Sequence, residues 1–184
     1  RIRSRGLGDV YKRQQEFNPQ GFTFSNDGTK MFLTGNNGDD VNEYTLSTGF
    51  DVSTASFVDS FDISSQEEGP RDLAFNADGT KMFVVGVLGD DVNEYTLSTA
   101  FDVSTSTFVD SFDISSQENS PTGLAFSKDG TKMFVAGNGG DDINEYTLST
   151  GFDVSTASFV DSFDVSSQDT ACLLYTSDAA DETT

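Results

Sequence analysis

The chain has no histidine, no tryptophan, one cysteine and three prolines among 184 residues. Without histidine, zinc sites of the usual His/Cys kind and Ser-His-Asp triads cannot be built from these residues alone. The single cysteine, Cys172, excludes an internal disulfide. Basic residues are scarce as well: ten Lys and Arg stand against 31 Asp and Glu, for a formal net charge of -21. Such a surface repels phosphate backbones, which sets nucleic acid aside as a partner. No run of about 18 apolar residues occurs, so no segment reads as a membrane-spanning helix.

Both ends differ in character from everything between them. Asp9 to Gln14 can be encoded GAT GTG TAT AAG AGA CAG, and the reverse complement of that DNA, read one base later, encodes CLLYTS, which are residues Cys172 to Ser177. Inverted copies of one DNA element at opposite borders mark a transposase mosaic-end adapter, so 1–14 and 171–184 are read as adapter-derived. The remaining segment carries five basic residues (Lys30, Arg71, Lys81, Lys128 and Lys132) against 27 acidic ones, a net charge of -22.

That segment is one unit written three times. DGTKMF begins at Asp27, Asp78 and Asp129, NEYTLST at Asn42, Asn93 and Asn144, and DSFD at Asp59, Asp110 and Asp161, always 51 residues apart. The register divides the chain into units 15–65, 66–116 and 117–167, with 168–170 beginning a fourth. Within the second unit, Asp72 to Asn76 and Lys81 to Val85 flank Asp78-Gly79, a hairpin signal because glycine accepts positive φ. Val92 to Leu97 alternates in period two, and Phe108 to Ser115 is expected to alternate as well, with Phe108, Phe112 and Ile114 on one side. Helix content is expected to be close to nil. Four short antiparallel strands repeated in tandem predict an all-β fold, a β-propeller of three four-stranded blades forming an incomplete ring. Because rings close with four to eight blades, the remaining blades are expected from the same gene. The alternative is a three-blade protomer that completes its ring by oligomerisation.

Residues 120–150, SPTGLAFSKDGTKMFVAGNGGDDINEYTLST, resemble the YVTN-type propeller repeats of secreted and surface-layer proteins. The matching features are Pro121 and Gly123 before the first strand, Asp129-Gly130 at the turn, Lys132 to Val135 as second strand and the polar-aromatic third strand. Similar patterns occupy 19–48 and 70–99, while the longer third connection, TGFDVSTASF, departs from the family. The resemblance implies an extracellular or cell- or virion-surface setting, with binding or scaffolding and no single catalytic activity.

The copies differ mainly in Phe17–Thr23, Glu68–Ala74 and Asn119–Ala125, and in Thr34–Asn37, Val85–Leu88 and Ala136–Gly139. In an antiparallel meander these loops share one rim, and variation over a constant frame suits a recognition surface, although loops also drift wherever packing allows. The ligand-binding candidates are Gln20, Arg71, Thr122, Asn36, Asn37, Val87, Leu88 and Asn138. The paired acids Asp39-Asp40, Asp90-Asp91 and Asp141-Asp142 supply hard oxygen ligands and make calcium a candidate cofactor, against the plainer reading of solvated turn aspartates. Tyr44, Tyr95 and Tyr146 recur at blade period and read as core. An active site must break symmetry, and these copies scarcely do. The sequence therefore points to a non-enzymatic extracellular module binding a protein or glycan, or a surface scaffold. The alternative is a propeller hydrolase or lactonase whose catalytic blades lie elsewhere.

Overall fold

The computed structural model describes residues 16–169, so both segments read as adapter lie outside the described residues. Three separate antiparallel sheets follow one another, each with its strands in simple sequential order. The first contains β1 (Pro19–Phe24), β2 (Lys30–Gly35), β3 (Asp40–Leu46) and β4 (Ala55–Asp62); the second β5 (Pro70–Phe75), β6 (Lys81–Gly86), β7 (Asp91–Leu97) and β8 (Ser106–Asp113). The third contains β9 (Pro121–Phe126), β10 (Lys132–Gly137), β11 (Asp142–Leu148) and β12 (Ala157–Asp164). The first strands lie innermost, β1 against β5 and β5 against β9. Beyond the blades comes one short helical turn, Ser166–Asp169.

Local chemistry fixes each hairpin. Gly28, Gly79 and Gly130 adopt φ of 69°, 73° and 71°, the left-handed conformation that a tight β1–β2 type turn requires. Asp27 accepts from the Thr29 N–H at 3.0 Å and from the Thr29 and Ser25 hydroxyls at 2.8 Å, which holds its carboxyl down at about 2. The long third connection is a 3-10 turn, Val52–Thr54, Val103–Thr105 or Val154–Thr156. In the first two blades its preceding aspartate, Asp51 or Asp102, accepts from the serine N–H two residues on.

That connection exists to reach the neighbouring blade. Val103 and Val154 are fully buried, whereas Val52, in the first described blade, is 61% exposed. Lys30 Nζ donates to Glu43 Oε1 at 2.7 Å and to the Phe101 carbonyl at 2.6 Å, while Glu43 Oε2 accepts from the Val103 N–H at 3.0 Å. Lys81, Glu94, Phe152 and Val154 repeat this between the second and third blades. Around each clasp lies an apolar cluster: Phe32, Val41 and Ile63 meet Leu73, Met82, Val84, Tyr95 and Val103, and the equivalent set joins the second blade to the third.

One expectation fails on a β-bulge. Glu94 pairs with Asp110 but Tyr95 pairs with Phe108, so Val109 is an extra residue in β8. The bulge turns Phe108 and Phe112 to opposite faces. Phe108 packs edge-on against Tyr95 of its own blade at 5.7 Å, and Phe112 packs against Tyr146 of the next at 5.6 Å.

Glu43→Ala strands the Lys30 ammonium and the Val103 N–H inside a blade interface, so it is expected to cost about 3 kcal/mol in urea unfolding. Glu145, its equivalent on the uncovered side of the third blade, is 29% exposed at its side chain. In dilute protein, Glu145→Ala is expected to change stability by less than about 0.5 kcal/mol.

Candidate functional site

The loop leading into each innermost strand meets the loop between the second and third strands, and a buried glutamate joins them. Glu67 accepts from the backbone N–H of Gly69 at 2.6 Å, Leu88 at 3.2 Å and Gly89 at 3.1 Å. Glu118 does the same with Ser120, Gly139 and Gly140, and Glu16 with Asn18 and Gly38. Glycine is required beneath the carboxylate, since a Cβ on Gly86 would lie 2.3 Å from Glu67 Cδ and 2.6 Å from the Gly69 carbonyl. These glutamates escaped the sequence reading, although the invariant Gln-Glu pair beside each variable loop was a usable signal.

The innermost strands share another feature. Pairing with the second strand skips one residue near the start of each, leaving Gln20, Arg71 and Thr122 as bulge residues at equivalent positions. Arg71 Nη1 reaches across the blade boundary to Gln20 Oε1 at 3.0 Å. The Asn36 amide, with its oxygen toward the guanidinium, accepts from Arg71 Nη1 at 3.2 Å and donates to the Pro70 carbonyl at 3.0 Å. Three of the sequence candidates, Gln20, Asn36 and Arg71, therefore form one cluster. Thr122 instead aims its hydroxyl at the Ala136 carbonyl of its own blade, 3.4 Å away. Asn37, Leu88 and Asn138 are exposed on the same rim, and half-buried Val87 donates its N–H to the Gly69 carbonyl.

Asp72 follows Arg71 where the other blades have Gly21 and Gly123. Its Oδ1 accepts from the Leu73 N–H and its Oδ2 from the Leu124 N–H of the third blade, both at 2.9 Å. Burial pushes its carboxyl up, against the pull of those two donors. The strands approach so closely here that a Cβ on Gly21 would lie 2.6 Å from the Asp72 Cα. Asp72 is thus a blade-to-blade clamp beside the Arg71 cluster, and the departure from glycine was its only mark in the sequence.

The paired acids shape the rim loops. Asp39, Asp90 and Asp141 take left-handed φ of 48°, 49° and 51°. Their carbonyls accept from the N–H groups of Ile63, Ile114 and Val165 at 2.9 Å. Asp40, Asp91 and Asp142 each accept from the asparagine amide two residues on, at 2.6 to 2.7 Å. Among the described residues, no group of three or more acids or other ligating side chains is placed to hold a metal ion. Burial raises Asp39, Asp40 and Asp91, with nearby carboxylates adding to it: Glu68 and Glu16 at Asp39, Glu16 and Asp62 at Asp40, Glu67 and Asp113 at Asp91.

Residues 2–165 match the family described as lactonase, 7-bladed beta-propeller. The chain belongs to that family. Solved structures agree on the fold. A Bacteroides uniformis protein provisionally assigned as a 6-phosphogluconolactonase superposes with a TM-score of 0.58 at 17% identity, covering 78% of this chain and 40% of its own. The periplasmic gluconolactonase of Pseudomonas aeruginosa gives 0.53 at 20% identity, with 80% and 41% covered. A Lactobacillus plantarum protein gives 0.59 at 16% identity, with 79% and 41% covered. No curated protein matches by sequence. The chain spans about two fifths of the length of these structures, as three blades of a seven-bladed ring would.

The family corrects the expectation of a non-enzymatic binding module or scaffold. Near-identical blades were weighed against catalysis, but a ring enzyme needs only a few changed positions around its axis. Here the innermost strands do change, at Gln20, Arg71, Asp72 and Thr122.

The rim carboxylates set a pH dependence. An acid whose folded pKa is raised binds its proton more readily in the folded chain, so Asp39, Asp40, Asp72 and Asp91 add stability as pH falls toward the ordinary carboxylate range. Asp27 and Asp129, held down at about 2, act oppositely, and their contribution disappears as pH drops below 3.8. The melting temperature is expected to rise from pH 7 to a maximum near about pH 4 and then fall. A melting temperature that declined steadily from pH 7 downward would refute the assignment.

Proposed function

We propose that the ring to which these blades belong is a lactonase that opens the cyclic ester of a sugar acid. The Arg71 cluster is the part of its substrate site carried here. The observation behind this reading is the guanidinium itself. In a chain of net charge -21, Arg71 is held by the neutral groups Gln20 and Asn36, and no carboxylate among the described residues pairs with it. Lys30, Lys81 and Lys132 are paired with glutamates, and Lys128, which makes no ion pair among the described residues, is exposed on the Asp-Gly turn away from this rim. A lactone carbonyl gains negative charge as water adds to it, and the opened product is a carboxylate. A forked cation held by amides suits both oxygens. The names of the Bacteroides and Pseudomonas neighbours point to gluconolactone or its 6-phosphate as the substrate class. Asp72 keeps the floor of the site rigid by tying β5 to β9, so we assign the proton-accepting base to residues elsewhere around the ring.

The same reading keeps the repeat as YVTN-type and the protein as secreted or surface-exposed, supported by the Pro-Gly, Asp-Gly and Lys-Met-Phe positions and by the acidic surface. It keeps the inverted terminal segments as adapter-derived, supported by the codon relation between Asp9–Gln14 and Cys172–Ser177.

In a completed ring, Arg71→Ala is expected to lower kcat/KM for gluconolactone hydrolysis about 100-fold, with Gln20→Ala falling less. On the chain itself, titration calorimetry with 6-phosphogluconate is expected to show binding that Arg71→Ala weakens about tenfold. Equal binding with and without the guanidinium, or full activity of the alanine variant, would defeat the proposal.

A further inference from the structure

In each antiparallel meander the Asp-Gly turn and the third connection emerge on the rim opposite Arg71. Where the turn of the first blade meets the connection of the second, they leave a cleft of about 260 Å³. One wall is built by Asn26, Asp27 and Lys30, the other by Ala100 and Phe101. Both walls belong to blades that already pack together, so the cleft is a property of their boundary.

The two walls differ in character. Phe101 seats its ring on Gly79, where a Cβ would lie 2.2 Å from it, and against Phe75 at 5.4 Å, which makes it a fixed apolar surface. Opposite stand two charges. The Lys30 ammonium is already matched by Glu43 Oε1 at 2.7 Å and donates to the Phe101 carbonyl at 2.6 Å. Asp27 has no such partner. Its Oδ1 accepts from the Ser25 hydroxyl and from the N–H and hydroxyl of Thr29, and among the described residues nothing donates to its Oδ2. Those donors hold the carboxyl down at about 2, so it is charged at neutral pH. Asn26 ties the walls together, its Nδ2 donating to the Ala77 carbonyl at 2.6 Å. The arrangement is not repeated at the next boundary, where Ala77 and Gly151 replace Asn26 and Ala100 and remove both the amide tie and the methyl group.

We propose that this cleft binds a small organic ammonium ion, a primary amine with an apolar body, its ammonium on Asp27 Oδ2 and its body on Phe101 and Ala100. A charged donor satisfies the free carboxylate oxygen, the aromatic wall attracts the cation, and the apolar part leaves water. The net charge of -21 repels an anion. A bare metal ion lacks ligands, since among the described residues no three ligating side chains converge. The site is separate from the lactonase reading and requires nothing of Arg71.

The test titrates the full chain with benzylammonium chloride and follows the backbone amides by proton–nitrogen NMR. Saturable shifts are expected at Asp27, Thr29, Ala100 and Phe101, with a dissociation constant on the order of 1 mM. Asp27→Asn keeps an oxygen for the Ser25 and Thr29 donors while removing the charge, and is expected to weaken binding about fivefold. Ala100→Leu, at an exposed position, fills the cleft and is expected to abolish the shifts. Asp78→Asn makes the same change on the turn of the second blade and is expected to bind like the parent, while benzyl alcohol is expected to give no saturable shifts. The proposal is overturned by a parent without saturable shifts, or by undiminished binding in Asp27→Asn or in Ala100→Leu. Weakening by Asp78→Asn equal to that by Asp27→Asn overturns it too, as does benzyl alcohol binding as well as the cation.

Discussion

Each blade is a single twisted sheet with two apolar faces, and nothing within the blade can cover either. The four strands pair only with one another, and the connections are too short to fold back over the sheet. Burial therefore has to come from the blades before and after, which makes the interface the repeating object. The aromatic triad at its lower edge shows this directly. Phe32, Phe75 and Phe101 lie 4.5 to 6.1 Å apart, and Phe83, Phe126 and Phe152 lie 4.4 to 6.1 Å apart with matching ring angles.

Apolar burial has no preferred direction, so something else must set how one blade sits on the next. The buried Glu43 and Glu94 carry that information. Each accepts from a lysine of its own blade and from one backbone N–H of the next, while the lysine reaches a carbonyl two residues earlier. A blade displaced along its neighbour would leave a charged pair facing an apolar surface, which costs far more than the pair gains when satisfied. The buried acids on the rim follow the same logic. Glu67 and Glu118 are each saturated by three backbone donors, which is how so acidic a chain keeps carboxylates inside.

Most of the frame is legible in the sequence. A period of 51 residues, the Asp-Gly turns and the alternation in Val92–Leu97 specify the strands and their order, because each signal is local and occurs three times. The bulge at Val109 was not legible: a two-residue period looks unbroken when the extra residue is itself apolar. Glu67 is not legible because an acid repeated beside each loop reads as a surface charge, and only the glycines around its carboxylate show otherwise. The site was partly legible. Gln20, Asn36 and Arg71 were singled out by variation and do meet, whereas Asp72, which clamps two blades, differs from its counterparts at one position only. Near-identity of the copies points away from catalysis, and the family overturns that expectation.

The bulge on the innermost strands explains why near-identity and chemistry are compatible. A residue that drops out of strand pairing no longer has to fit between blades, so it can change without disturbing either interface. Every blade places one such residue at the same height around the axis. Gln20, Arg71 and Thr122 are three of them, and they are polar in three different ways. A ring built like this composes its site from single substitutions on a constant scaffold, one per blade. Under the proposed lactonase reading, three blades carry a share of the binding groups, and Arg71 is the charged one among them.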